Sequence, residues 1–188
     1  MKKILLGLGL ILSFVFGIDE ANITNHMQIK IDDITTILKN KELPKEDKRT
    51  KLFHLLDDVF DFELMARLSL GRAFNNMSKS EQDEFIKVFV HRLKNSYLDK
   101  IDLYNGEEIF VRELTKVKAD RITLLTQVVG VNENYDIVYK FYSKENDWLI
   151  YDIDIIGVSI VQTYRKQFSE FLATKSTKDL INDLKSNK

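Results

Sequence analysis

The side chains able to do chemistry in this chain are few and scattered. Its three histidines, His26, His54 and His91, sit at spacings that no ligand pair uses, and no HExxH segment joins them to an acid. The chain has no cysteine, which excludes disulfides, thiolate metal sites and a lipidated N-terminal cysteine. No metal and no cofactor are expected. There is no G-x-S-x-G elbow, no P-loop and no G-x-G-x-x-G turn. Asp147, Asp152 and Asp154 form the one acidic cluster of note. Asp152 and Asp154 alternate on a strand, where paired carboxylates can do acid–base work or hold calcium. With no base beside them they are expected on a solvated strand face opposite an apolar one. Arg67, Arg72, Arg92 and Arg165 could each fork a phosphate group, although a single arginine usually serves a surface ion pair. Arg165, beside Tyr164 just past the last strand, is retained as a candidate contact for a ligand head group or a partner.

Composition narrows the class further. Of 188 residues, 44% are hydrophobic and 30% charged, with a formal net charge of −1, so a core can form and no basic footprint for nucleic acid exists. Lys2 and Lys3 precede an apolar run from Ile4 to Phe16. At about 13 residues the run is short of the roughly 20 that a membrane span needs. Val15 and Gly17 suit the small-residue positions before a cut. Residues 1–17 are therefore expected to be a signal peptide cleaved after Gly17, leaving residues 18–188 as one exported domain.

The elements that must position any site follow from periodicity. Ile23, Met27, Ile31, Ile34 and Leu38 mark an amphipathic helix between Asp19 and Asn40. Pro44 starts a second helix with Leu52, Leu55, Leu56 and Val59 on its stripe. A short helix from Asp61 stops at Gly71. Ser78 and Glu81 form a capping box for a helix in which Phe85, Phe89, Leu93, Tyr97 and Ile101 recur every fourth residue. Four strands follow. The first runs from Glu108 to Leu114. The next two present Ile122, Leu124, Thr126 and Val128, then Ile137, Tyr139 and Phe141, with a turn at Asn132-Glu133-Asn134 between them. The last, Trp148 to Ile156, is expected to point Leu149, Tyr151, Ile153 and Ile155 one way and Trp148, Ile150, Asp152, Asp154 and Ile156 the other. Helices from Ser159 and Ser176 close the chain. Consecutive strands without helical crossovers predict an α+β fold, a curved antiparallel sheet of about four strands packed on N- and C-terminal helices. The apolar faces fit either a filled core or a pocket between sheet and helices, and periodicity alone does not separate the two.

Phe60-Asp61-Phe62, the run Met65 to Arg72 and the helix Ser78 to Tyr97 resemble the MlaC family of periplasmic phospholipid-binding proteins, also called toluene-tolerance auxiliary components. Trp148, Tyr151-Asp152, Gly157-Val158-Ser159, Tyr164-Arg165 and Gln167-Phe168 extend the likeness. Phe74 departs from it, standing where the family usually has tryptophan. The resemblance implies a fold related to NTF2-like proteins and no chemical reaction. It implies a soluble phospholipid shuttle between an outer-membrane lipoprotein–porin complex and the MCE-domain subunit of an inner-membrane ABC transporter, serving outer-membrane lipid asymmetry. Nothing points beyond a monomer. The expected lipid lining is Ile122, Leu124, Val128, Ile137, Tyr139, Phe141, Tyr151, Ile153 and Ile155 from strands, with Phe62, Met65, Phe85, Phe89, Leu93, Val158 and Val161 from helices. A small enzyme using Asp152 or Tyr139 as acid or base, a carrier of another hydrophobic ligand and an adaptor with a filled core are the alternatives.

Overall fold

The computed structural model describes residues 18–98, 104–131, 133–145 and 147–186. The expected leader, Ile101 and Asn132 of the expected turn lie outside the described residues. The chain opens with a 3-10 turn, Glu20–Asn22, capped by Asp19, and continues as α1 (Ile23–Lys39) and α2 (Lys45–Asp57). Next come α3 (Phe62–Leu70), α4 (Arg72–Asn75) and α5 (Lys79–Leu98). Strands β1 (Glu108–Lys118), β2 (Arg121–Val129), β3 (Asn134–Lys144), β4 (Asp147–Ile155) and β5 (Val158–Ser159) precede α6 (Ile160–Leu172) and α7 (Thr177–Ser186). The sheet has five strands in sequence order, all antiparallel, because each is joined to the next directly. The added fifth strand is the two-residue β5, too short for an alternation signal. Among the described residues no helix is long and apolar enough to cross a membrane.

Local chemistry sets the helix starts. The Ser78 N–H donates to Glu81 Oε2 at 2.8 Å while the Glu81 N–H donates to Ser78 Oγ at 3.3 Å, the reciprocal capping box that opens α5. Ser176 and Asp179 do the same for α7. Asp61 caps α3 by accepting from the Leu64 N–H at 2.8 Å. Gly71 ends α3 at φ +62°, a backbone conformation that favours glycine, and a Cβ there would crowd the Arg165 guanidinium at 3.2 Å from Nε.

The strand β4 differs from simple alternation. Lys140 pairs with Asp152 and Phe141 with Ile150, so Tyr151 is the extra residue of a β-bulge. The bulge exchanges the two faces. Trp148 and Ile150 share the inner face with Ser143 and Phe141 before it, and Ile153 and Ile155 share that face with Tyr139 and Ile137 after it. Tyr151, expected beside Ile153, lies instead on the other face, 6.0 Å from the Tyr142 ring and 5.5 Å from the Arg121 guanidinium. Asp152, expected in solvent, is 4% exposed, because the chain folds back through β5 and α6 over that face.

Two apolar clusters form the core. The sheet-side cluster joins Ile122, Leu124, Phe141, Trp148 and Ile150 to Ile23, Met27 and Val59. The helix-side cluster is aromatic at its centre, with Phe85, Phe89 and Phe168 at ring separations of 5.8 to 5.9 Å. Phe74 packs edge-on to Phe85 at 6.4 Å. Phe60 and Ile153 pack against both clusters and so mark the seam between them.

Candidate functional site

The seam is not filled. A hollow of about 180 Å³ lies between α1, α2, α3 and α5 on one side and β3 and β4 on the other. Each wall follows from a pattern already described. Met27, Ile31 and Ile34 are successive turns of the α1 stripe, and Leu55 and Leu56 end that of α2. Tyr139, Ile153 and Ile155 reach it from the sheet because the Tyr151 bulge returns β4 to the inner face. Phe62 and Met65 come from α3, Leu93 and Tyr97 from α5.

Two further hollows adjoin it. One of about 580 Å³ opens between α1, α2 and the strands β1 to β3, with Leu38, Leu52, Ile109, Val128 and Ile137 among its walls. It shares Ile34, Leu56 and Tyr97 with the first. The other, about 510 Å³, lies between α5, α6 and α7 and shares Tyr97, Ile155 and Ile160 with the first. Its walls mix Phe168 and Phe171 with Arg92, Thr163 and Gln167.

The expected lining residues therefore divide. Phe62, Met65, Leu93, Tyr139, Ile153 and Ile155 meet around the central hollow, and Val128 and Ile137 meet at the second. Ile122, Leu124 and Phe141 are packed inside the sheet-side cluster, and Phe85, Phe89 and Val161 inside the helix-side one. Val158 is 59% exposed at the rim of the third hollow. Arg165 lines none of these hollows and lays its guanidinium against Gly71. Met27, Ile31, Ile34, Leu55, Leu56, Tyr97 and Ile160 are absent from the expected lining, and the only signal for them is the apolar stripe of their helices; Phe60, also absent, stands between α2 and α3, where no period marks it.

The rim of the central hollow is charged but neutralised. Lys30 Nζ pairs with Asp58 Oδ2 at 2.8 Å, and Lys94 pairs with Asp57. Lys94 Nζ also lies 4.7 Å from the Phe62 ring centroid. The two acids are consecutive at the end of α2, and their partners sit on α1 and α5, so two ion pairs tie α2 across the mouth.

The two acid–base candidates read from the sequence, Tyr139 and Asp152, lie apart and on opposite faces of the sheet. Burial pushes the Tyr139 phenol up to about 12, against the opposing pull of a hydrogen bond with Thr126, which leaves it neutral at physiological pH. Asp152 faces away from the hollow and is saturated. It accepts from the backbone N–H groups of Ile153 (2.9 Å) and Val161 (3.1 Å), from Ser159 Oγ (2.6 Å) and from Lys140 Nζ (3.0 Å). Among the described residues no group of three His, Cys, Asp or Glu side chains could hold a metal ion.

A five-stranded open sheet backed by helices, with an apolar seam between the layers, defines an α+β protein with an internal hollow. Residues 28–186 match the family model described as MlaC protein, and the chain belongs to the MlaC family. Among solved structures it is similar to the phospholipid-binding protein from Ralstonia solanacearum, determined in complex with a phospholipid, with a TM-score of 0.75 over 87% of this chain and 94% of that one. Sequence identity is 18%, so the likeness is one of fold.

Proposed function

We propose that this chain is a phospholipid carrier that hides acyl chains in the hollow between sheet and helices and leaves the head group at its mouth. The observation that carries the reading is the apolar seam around Tyr139 and Ile153, in a fold shared with a protein solved with a phospholipid. The physics calls for such a device. Burying one methylene contributes about 0.8 kcal/mol, so about 30 methylenes of two chains would cost roughly 25 kcal/mol to expose to water. A carrier must nearly match the bilayer in energy to load and unload, which favours many weak apolar contacts over a strong polar clamp. The central hollow, at about 180 Å³, is smaller than the roughly 300–1,000 Å³ of typical ligand sites, so loading requires the walls to part. The adjoining hollow behind α2 supplies the room.

In this reading residues 1–17 export the chain to the periplasm and are removed after Gly17. The mature monomer then exchanges lipid with an outer-membrane lipoprotein–porin complex and with the MCE-domain subunit of an inner-membrane ABC transporter. No bond is made or broken. The test is to purify the exported protein without detergent, extract it with organic solvent and identify the extract by mass spectrometry, then follow lipid transfer between two liposome populations. Stoichiometric phospholipid and protein-dependent transfer are expected. A lipid-free extract with transfer no faster than the spontaneous rate would overturn the reading.

A further inference from the structure

The three hollows meet at one side chain. Tyr97 lines all three, whereas Ile34 and Leu56 belong to two of them and Ile155 and Ile160 to another two. It stands in the last turn of α5, on the same stripe as Phe85, Phe89 and Leu93. Along that stripe the surroundings change. Phe85 and Phe89 are sealed in the aromatic core, Leu93 touches the central hollow, and Tyr97 is 38% exposed at the junction. A core residue there would be shorter or wholly covered. A large flat ring at a meeting of cavities acts as a wall.

We infer that Tyr97 is the partition that sets which acyl chains this protein accepts. The inference rests on the carrier reading and deepens it. With the ring in place, a chain in the central hollow is stopped before the space shared with the larger hollow behind α2, and each chamber takes a chain of limited length. Trimming the ring joins the spaces through Ile34 and Leu56 on one side and Ile155 and Ile160 on the other. Every further methylene then admitted to apolar surroundings raises affinity by about four-fold. The phenol oxygen is not needed for this role, only the ring.

The test uses the full mature chain, stripped of lipid and reloaded from vesicles holding equal amounts of dimyristoyl, dipalmitoyl and dioleoyl phosphatidylglycerol. Bound lipid is read by native mass spectrometry for the wild type and for Tyr97→Phe, Tyr97→Ala and Tyr97→Trp. Tyr97→Phe is expected to keep the wild-type profile. Tyr97→Ala is expected to raise the ratio of long to short chains by about four-fold or more, and Tyr97→Trp to lower it. A profile unchanged in both Tyr97→Ala and Tyr97→Trp, with the wild type well loaded, would overturn the partition and leave the carrier reading standing. A wild type that takes up no lipid would overturn both. Because Tyr97 is part-exposed, the alanine variant is expected to fold, and its urea midpoint checks this.

Discussion

The Val161 backbone N–H donates to Asp152 Oδ1 at 3.1 Å, which ties the bulged strand β4 to the first turn of α6. That carboxylate also holds Lys140 and Ser159, so one buried acid fixes three segments. Removing it would leave the buried Val161 N–H and the Ser159 hydroxyl without their acceptor, while Lys140 keeps Asp154 Oδ1 at 2.8 Å. Asp152→Ala is expected to cost about 2 kcal/mol in urea unfolding, with Asp152→Asn milder because an amide oxygen still accepts. If Asp152 served catalysis, folded Asp152→Asn would lose function. In the carrier reading its lipid loading stays at wild-type level.

Acid sensitivity should trace to Asp61. Burial alone would raise its pKa, but hydrogen bonds from Tyr142 and the Leu64 N–H, with the Lys144 ammonium nearby, bring it below the usual carboxylate value. A lowered folded pKa gives stability that is fully present above the unfolded carboxylate range and is lost as pH falls through the folded value. Unfolding free energy is therefore expected to drop as pH falls below about 4. Asp61→Asn should flatten part of that slope. Asp61→Ala should cost about 1–2 kcal/mol at neutral pH through the lost helix cap, and less in acid.

Core and hollow should separate by mutation. Leu124 lies fully buried in the sheet-side cluster, so Leu124→Ala is expected to lose about 3 kcal/mol of stability while the folded fraction still loads lipid. Ile153 is part-buried at the hollow, and Ile153→Glu should fold with lipid occupancy down by about ten-fold, since one buried carboxylate offsets several methylenes. Equal occupancy in the folded Ile153→Glu variant would move the ligand elsewhere.

The helix α2 should be the wall that gives. It packs chiefly on α1 and is tied across the mouth by Lys30–Asp58 and Lys94–Asp57. Hydrogen exchange in Lys45–Asp57 is expected to run about ten-fold or more faster than in Lys79–Leu98. It should speed up further in high salt, which screens those pairs, and slow on lipid loading. Protection in α2 equal to that in α5, with and without lipid, would place the opening elsewhere.

Much of the architecture was readable before the structure. The Ser78–Glu81 box, the stripes of α1 and α5 and the alternation in β2 depend on neighbours within one element, where period and capping chemistry act. The inner face of β4 was not readable, because one extra residue at Tyr151 exchanges the two faces and nothing in the residue types marks it. The burial of Asp152 was hidden for a different reason: its donors include Ser159 and Val161, which arrive only when the chain turns back. The walls of the central hollow were half legible. Periodicity told which side of a helix is apolar, and so reached Leu93, while strand alternation beyond the Tyr151 bulge reached Ile153. It could not tell Phe89, whose ring meets Phe85 and Phe168, from Ile34, whose side chain meets a void.

Photo-crosslinking with a phosphatidylglycerol carrying a diazirine near the end of one acyl chain reads the buried contact itself. After loading, irradiation and proteolysis, adducts are expected on peptides containing Ile34, Leu56, Tyr139 and Ile153, and they should vanish when the protein is unfolded in urea. Adducts confined to exposed apolar positions such as Val131 and Ile156, with those inner peptides unmodified, would contradict the account.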